Sequence, residues 1–97
     1  MQQQPMQPAR FLLGRVVATP GALEPLQAAG QLPFAYLYRH QTGDWGDLCA
    51  EDKAENELSV AEGYRILSAY TLTTGVKIWL ITEWDRSVTT LLLPQEY

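Results

Sequence analysis

Strand-favouring residues are concentrated in the last third of the chain, where three short segments are rich in β-branched and aromatic side chains. These segments are residues 65–72, 76–82 and 87–93. Gly75 lies in the first connection between them and Asp85 in the second, and both residue types favour tight turns. Because connections this short join antiparallel neighbours, the pattern predicts a three-stranded antiparallel meander.

One further strand and three helices are predicted ahead of the meander. Residues 11–18 have the composition of a strand, and helical signals follow in residues 19–30, 33–40 and 48–62. Thr19 is a suitable N-cap for the first of these helices, and Gly63 is expected to terminate the third. The order of one strand, three helices and three strands predicts a two-layer α+β domain with a four-stranded, mostly antiparallel sheet.

Apolar residues at helical spacing assign to each helix a side that should face the sheet. The expected inward residues are Ala22, Leu23 and Leu26 in the first helix, Phe34, Leu37 and Tyr38 in the second, and Leu48, Ala54, Leu58 and Ala61 in the third. In the meander, both faces of the strands are apolar. One face is therefore expected to pack on the helices and the other on a partner, which we expect to be a second copy of the chain.

Composition indicates a globular protein with a short leader. Residues 1–9 are rich in Gln and Pro and are expected to be disordered, whereas residues 10–97 are expected to form a single domain. No basic and apolar signal peptide is recognisable, and no apolar run is long enough to cross a bilayer. The cytoplasm is the expected location, and we expect no membrane partner.

The charge distribution bears on the partners of the protein. The net charge is −4, and residues 44–62 contain seven acids against one base. Proteins that bind nucleic acid through phosphate contacts carry an excess of basic over acidic residues, so we do not expect nucleic acid as a partner. Cys49 has no second cysteine to pair with, and its spacing from His40 matches no metal-ligand pattern. The sequence predicts neither a metal site nor a cofactor.

One group of residues has the composition of an active site. His40 and an acid can transfer protons near neutral pH, and Arg86 can bind a phosphate. The catalytic candidates are His40, Asp44, Glu83, Arg86 and Thr89. With helices preceding a sheet, this set is analogous to the small metal-independent ribonucleases. The same residues also fit structural roles, because a histidine is favourable at a helix C-terminus and Asp85 with Arg86 suits a turn.

Large aromatic rings favour a different function, because such rings are enriched at the centres of protein interfaces. The candidate binding residues are Trp45, Tyr64, Trp84, Arg86, Ser87 and Tyr97. We therefore interpret the protein as a non-enzymatic interaction or regulatory protein that forms a homodimer. The alternative is a ribonuclease-like enzyme that uses His40 and Arg86.

Several longer motifs resemble one group of small bacterial proteins. The motifs are VVATPGAL at 16–23, RHQTGDWGDL at 39–48, AENEL at 54–58, GYRILSAY at 63–70 and IWLITEWDRSVTTLLLPQEY at 78–97. Members are labelled "plasmid-related protein" or "type I restriction endonuclease subunit M", and they occur on plasmids, phages and chromosomes. The similarity spans residues 14–97, with departures in the leader and at Trp84.

The resemblance implies a shared fold and an origin in bacteria or mobile elements, without naming an activity. The restriction label implies a methyltransferase subunit, which needs a glycine-rich cofactor loop after a strand. It also needs an aromatic-proline motif that holds a flipped base. Because this sequence contains neither motif, the label carries no prediction of methyltransferase activity.

Overall fold

The computed structural model describes residues 7–97, which form one α+β domain. The elements are β1 (Arg15–Ala18), α1 (Pro20–Ala28), α2 (Pro33–Gln41), α3 (Ala50–Glu62), β2 (Ile66–Thr71), β3 (Lys77–Thr82), β4 (Val88–Leu92) and a short 3₁₀ helix (Pro94–Glu96). This confirms the predicted class and element order. Residues 1–6 of the expected leader lie outside the described residues, while the Gln7 amide within it donates to the hydroxyl of Tyr38.

The sheet has the strand order β1-β4-β3-β2. The predicted meander is confirmed, because β2 pairs antiparallel with β3 and β3 pairs antiparallel with β4. The first strand returns to the far side of β4 and pairs with it in parallel. The two edges of the sheet are therefore β1 and β2.

The first strand is shorter than predicted, because Gly14 interrupts it. Its φ of +66° departs from strand geometry, and a Cβ there would lie 2.4 Å from the carbonyl oxygen of Arg86. Phe11, which the sequence placed in the strand, packs instead in a small buried cluster with Trp45 and Ile66. The segment before β1 thus belongs to the core without belonging to the sheet.

The main core lies between the sheet and the first two helices. Its buried members are Ala22, Leu26, Tyr36, Tyr70, Leu72, Ile78, Leu80 and Leu91. Thr19 caps α1 as predicted, since its hydroxyl accepts from the amide of Ala22 at 3.0 Å. The Gly63 end of α3 is also confirmed, with a left-handed φ of +78°.

The predicted inward face is wrong for most of α3 and for single residues of α1 and α2. Leu23, Phe34 and Leu58 are exposed by 36, 68 and 48 %, and Ala54 and Ala61 are exposed as well. The buried side chains are Ala22 and Leu26 in α1, as predicted, Tyr36 and His40 in α2, and Asn56 and Ser59 in α3. Three of these six are polar, and a search for apolar stripes misses them because hydrogen bonds offset the desolvation of polar groups.

The β2 edge is closed by α3 and by the loop before it. The side-chain amide of Asn56 donates to the carbonyl oxygen of Leu67 at 2.6 Å and accepts from the Leu67 amide at 3.2 Å. The Ala69 amide donates to the carbonyl oxygen of Trp45, and the Asp47 amide donates to the carbonyl oxygen of Ala69. These groups replace a neighbouring strand along this edge.

The sheet face turned away from α1 and α2 is partly covered by the C-terminal segment. The Tyr97 ring packs edge-on against Trp79 with 5.7 Å between ring centroids. Ile81 and Leu92 on this face are buried, while Leu67 and Trp79 are half-buried. Much of the apolar surface that the sequence assigned to a partner is thus covered within the chain.

Candidate functional site

His40 lies in the core, where its side chain is fully inaccessible to solvent. Its Nδ1 is 2.6 Å from the Oγ of Ser68 on β2, and its Nε2 is 2.8 Å from the Oγ1 of Thr82 on β3. Both ring nitrogens therefore have partners inside the protein. His40 connects α2 to two strands of the sheet.

The hydrogen bonds continue to β4 and define a chain that we call the hydroxyl relay, formed by Ser68, His40, Thr82, Thr89 and the carbonyl of Leu13. The Oγ1 atoms of Thr82 and Thr89 are 2.7 Å apart, and Thr89 donates to the carbonyl oxygen of Leu13 at 2.7 Å. Because each hydroxyl has one proton, Thr82 must donate to Thr89 and accept from His40. The proton of the neutral ring is then on Nε2, and Ser68 donates to Nδ1.

The environment of His40 keeps its ring neutral. Burial, together with a smaller effect of the positive charge of Arg86, lowers the pKa of His40 from 6.5 to about 3. A general acid–base catalyst works best when its pKa is near the working pH and it reaches the substrate. His40 meets neither condition. Its burial is explained by packing and by the hydrogen bonds of the hydroxyl relay.

Arg86 is held by backbone carbonyl groups at the end of α3. Its guanidinium donates to the carbonyl oxygens of Ser59 at 2.8 Å, Tyr64 at 2.6 Å and Glu83 at 3.2 Å. The guanidinium carbon also lies 5.7 Å from the centroid of the Phe11 ring. Burial lowers the pKa of Arg86, although the side chain stays charged. Its contacts close the C-terminus of α3, where positive charge is favourable.

The other catalytic candidates do not converge on the relay. Asp44 is exposed and pairs with Arg39, whose Nε is 2.6 Å from Oδ2. This partner lowers the pKa of Asp44. Glu83 pairs with Arg65 at 3.4 Å. Of the five candidates, only His40 and Thr89 belong to one hydrogen-bonded chain.

Two of the binding candidates lie in the loop before α3 and in the last turn, and one of them is buried. Trp45 was assigned to the binding surface but is buried, and its indole Nε1 donates to the carboxylate of Glu57 at 2.9 Å. Ser87 is exposed, and its amide donates to the carboxylate of Asp85 at 3.1 Å. Hydrogen bonds from the Ser87 side chain and then from its amide lower the pKa of Asp85. Trp45 therefore belongs to the core, and Asp85 with Ser87 forms the turn between β3 and β4.

A groove of about 520 Å³ lies between α3 and the outer face of the sheet. We call it the α3 groove. Its lining residues are Leu48, Asp52, Glu55, Asn56, Ser59, Tyr64, Arg65, Leu67 and Trp79. Leu48, Leu67 and Trp79 supply apolar surface, whereas Asp52 and Glu55 are exposed carboxylates on α3.

Three predicted interface aromatics stay exposed, and two of them belong to the groove or adjoin it. Tyr64 lines the groove and is 55 % exposed. Tyr97 is 68 % exposed, packs on Trp79 and accepts a hydrogen bond from Arg65. Trp84 is 66 % exposed and follows the acid that pairs with Arg65. The sequence predicted these rings but missed the groove, since it placed α3 with a different side toward the sheet.

The comparisons with known proteins identify no relative. The chain matches no family model, no curated protein and no solved structure at a significant level. The resemblance to plasmid-related bacterial proteins therefore stays a prediction. Within residues 7–97, no helix is both long and apolar enough to cross a membrane, and no three potential metal ligands lie together.

Proposed function

We propose that the protein acts without catalysis, by binding a segment of another protein in the α3 groove. The observation that supports this proposal is an apolar groove that is lined by an exposed aromatic ring. Leu67 and Trp79 offer half-buried surface in the groove, and Tyr64 is exposed beside them. Desolvating a large aromatic side chain in a pocket is a common source of binding free energy at interfaces.

The charge of the groove favours a basic partner. Asp52 and Glu55 lie on its rim and have no ion-pair partner among residues 7–97, whereas Arg65 is neutralised by Glu83. The surface is thus locally negative around an apolar centre. A complementary segment carries a large apolar side chain flanked by Lys or Arg, because matched charges speed association and fix the binding register.

The buried relay supports the non-enzymatic half of the proposal. Every member of the relay has a hydrogen-bond partner within the protein, and His40 is inaccessible to a substrate. The bacterial or mobile-element origin rests on the sequence resemblance alone, and so does any regulatory role in that setting.

A displayed library of random twelve-residue peptides tests the groove directly. Selection on the wild-type protein should enrich peptides with Leu, Phe or Trp beside Lys or Arg. Binding of a selected peptide, measured by fluorescence anisotropy, should weaken about tenfold in an Asp52→Lys/Glu55→Lys variant and again in Tyr64→Ala. The matched control is Glu24→Lys, which changes an exposed acid on α1 and should leave binding unchanged. Peptides that bind all variants equally would refute the groove as the site.

A second experiment tests the absence of catalysis. Purified wild-type protein and a His40→Gln variant are incubated with single-stranded RNA, and the products are separated on a denaturing gel. We expect intact RNA in both samples. Cleavage by the wild-type protein that disappears in His40→Gln, with the circular dichroism spectrum unchanged, would establish the ribonuclease alternative instead.

A further inference from the structure

The outer edge of β1 carries unpaired backbone groups. The amide of Arg15 donates to the carbonyl oxygen of Ser87 at 2.9 Å, and the amide of Thr19 donates to that of Leu91 at 3.0 Å. Residues of a strand point alternately toward one neighbour and the other. The amides and carbonyls of Val16 and Ala18 therefore point away from β4, toward the open side of the sheet.

Nothing in the described part of the chain covers this edge. Within residues 7–97, the backbone groups of Val16 and Ala18 accept or donate no hydrogen bond outside the β1–β4 ladder. The segment before β1 runs along α2 instead, where the Arg10 amide donates to the carbonyl oxygen of Gln41 at 2.9 Å. The Val16 side chain is 43 % exposed. A strand edge with open backbone groups of this kind is a template for pairing with another strand.

We propose that this edge pairs with the same edge of a second copy of the chain, antiparallel and across a two-fold axis at Val17. Val16 of each copy then exchanges two hydrogen bonds with Ala18 of the other, which gives four in total and uses every outward group. The two sheets join into one of eight strands. This inference is independent of the proposed function, because the α3 groove lies at the opposite edge of the sheet.

The neighbouring residues favour this register over those with the axis one residue away. An axis at Val16 would bring Gly14 into the ladder, and the φ of Gly14 departs from strand geometry. An axis at Ala18 would bring in Pro20, which has no amide hydrogen to donate. The axis at Val17 avoids both.

Charge complementarity favours a second copy as the occupant of the edge. In the proposed register, Arg15 lies opposite the partner's Thr19. The hydroxyl of Thr19 donates to the carboxylate of Glu96 at 2.8 Å, so Glu96 places a negative charge beside Thr19. Arg15 itself has no ion-pair partner among residues 7–97. The symmetric dimer brings the two groups together twice.

Sedimentation of the full chain over micromolar to millimolar concentrations tests the dimer. We expect a concentration-dependent dimer in the wild type and a monomer in Val16→Pro, because the proline removes an outward amide without touching the β1–β4 ladder. Arg15→Glu should weaken the dimer about tenfold, and adding Glu96→Arg should restore it. This charge pair keeps the test valid if the proline variant folds poorly. A wild-type monomer at every concentration, or a dimer unaffected by both changes, would overturn the proposal.

Disulfide trapping tests the register. In a Cys49→Ser background, the Val17→Cys variant should form a dimer on mild oxidation, because the two residues face each other in a non-hydrogen-bonded pair. The matched control is Val16→Cys. In the proposed register Val16 lies opposite the partner's Ala18, so the two introduced cysteines are two positions apart along the strands and should not form a disulfide. Equal or faster trapping of the control would contradict the two-fold axis at Val17.

Discussion

The two edges of the sheet present the same backbone chemistry, yet among residues 7–97 only the β2 edge has hydrogen-bond partners for its outward groups. At β2, Leu67 bonds to the amide side chain of Asn56, and Ala69 bonds to the backbone of residues 45–47. At β1, the outward groups of Val16 and Ala18 have no such neighbours in the described residues. The β2 edge is closed by a helix and a loop that immediately precede it in sequence. The residues before β1 do not close its edge, because they pack on α2, where the Arg10 amide bonds to Gln41.

The difference shows how a side chain substitutes for a strand. A carboxamide has the same donor and acceptor as a peptide group, so Asn56 extends the ladder by one pair of hydrogen bonds. Gly46 allows the loop to come equally close, since a Cβ there would lie 1.9 Å from the carbonyl oxygen of Ala69. Among residues 7–97 no residue of this kind faces β1, and it is this edge that the proposed second copy would close.

The largest expected effect separates the two sides of β1. Val17→Pro should destabilise the fold by about 3 kcal/mol or more, because the amide of Val17 points toward β4 in the ladder. Val16→Pro should change the free energy of unfolding of the monomer by less than about 1 kcal/mol, since its amide points outward. Urea denaturation at low protein concentration measures both. Equal destabilisation by the two prolines would show that the edge at Val16 is closed after all.

Opening the β2 edge should have the next largest effect. Asn56→Leu removes both hydrogen bonds to Leu67 and leaves its backbone groups without partners, which should cost about 2–3 kcal/mol. The neighbouring Glu55→Gln is the matched control, because that side chain is exposed. Thermal unfolding should show a lower midpoint for Asn56→Leu alone. A midpoint within a degree or two of wild type would mean that solvent replaces the amide without loss.

The sheet was predictable from the sequence, whereas the side chains that close it were not. The meander follows from local composition and turn residues, and its three strands agree with the structure within one residue at each end. Thr19 and Gly63 mark helix ends by local chemistry, and both predictions are confirmed. These signals depend on neighbouring residues only, so a single sequence contains them.

The helix faces depend on partners that are distant in sequence. His40 is 28 residues from Ser68 and 42 residues from Thr82, and Asn56 is 11 residues from Leu67. A search for apolar stripes assigns such residues to the surface, because the hydrogen bonds that allow their burial are made to residues distant in sequence. The placement of Ser68 on the same strand face as apolar neighbours is the one signal that a buried polar partner was needed.

A third expected effect concerns the hydroxyl relay, which lies between the two edges. The pKa of His40 falls from 6.5 to about 3 on folding, so the unfolded chain binds a proton in this range that the folded chain does not. Stability is therefore highest above pH 6.5 and falls as the pH drops toward 3. The expected slope is about 1.4 kcal/mol per pH unit, or about 2 kcal/mol between pH 6.5 and 5. Urea denaturation at a series of pH values measures it.

His40→Gln is the control for this pH dependence. The amide can still bond to Ser68 and Thr82 but does not titrate, so the slope above about pH 5 should disappear. The pKa values of Asp44, Glu57 and Asp85 are also lowered, and their stabilisation is lost only as the pH falls below the ordinary carboxylate range. A slope that persists above pH 5 in His40→Gln would assign the acid sensitivity to another group.

The smallest expected effect concerns the N-terminus of α3, the helix that closes the β2 edge. Cys49 occupies the N-cap position but makes no side-chain hydrogen bond there, which leaves the first amides of the helix without a cap. Serine is a strong N-cap residue, so Cys49→Ser should raise the stability by about 0.5–1 kcal/mol. Cys49→Ala, which removes the thiol without supplying an acceptor, is the control and should show no gain. Urea denaturation under reducing conditions compares the three proteins. If serine and alanine behave alike, the cap adds nothing, and α3 is held beside β2 by Asn56 and packing alone.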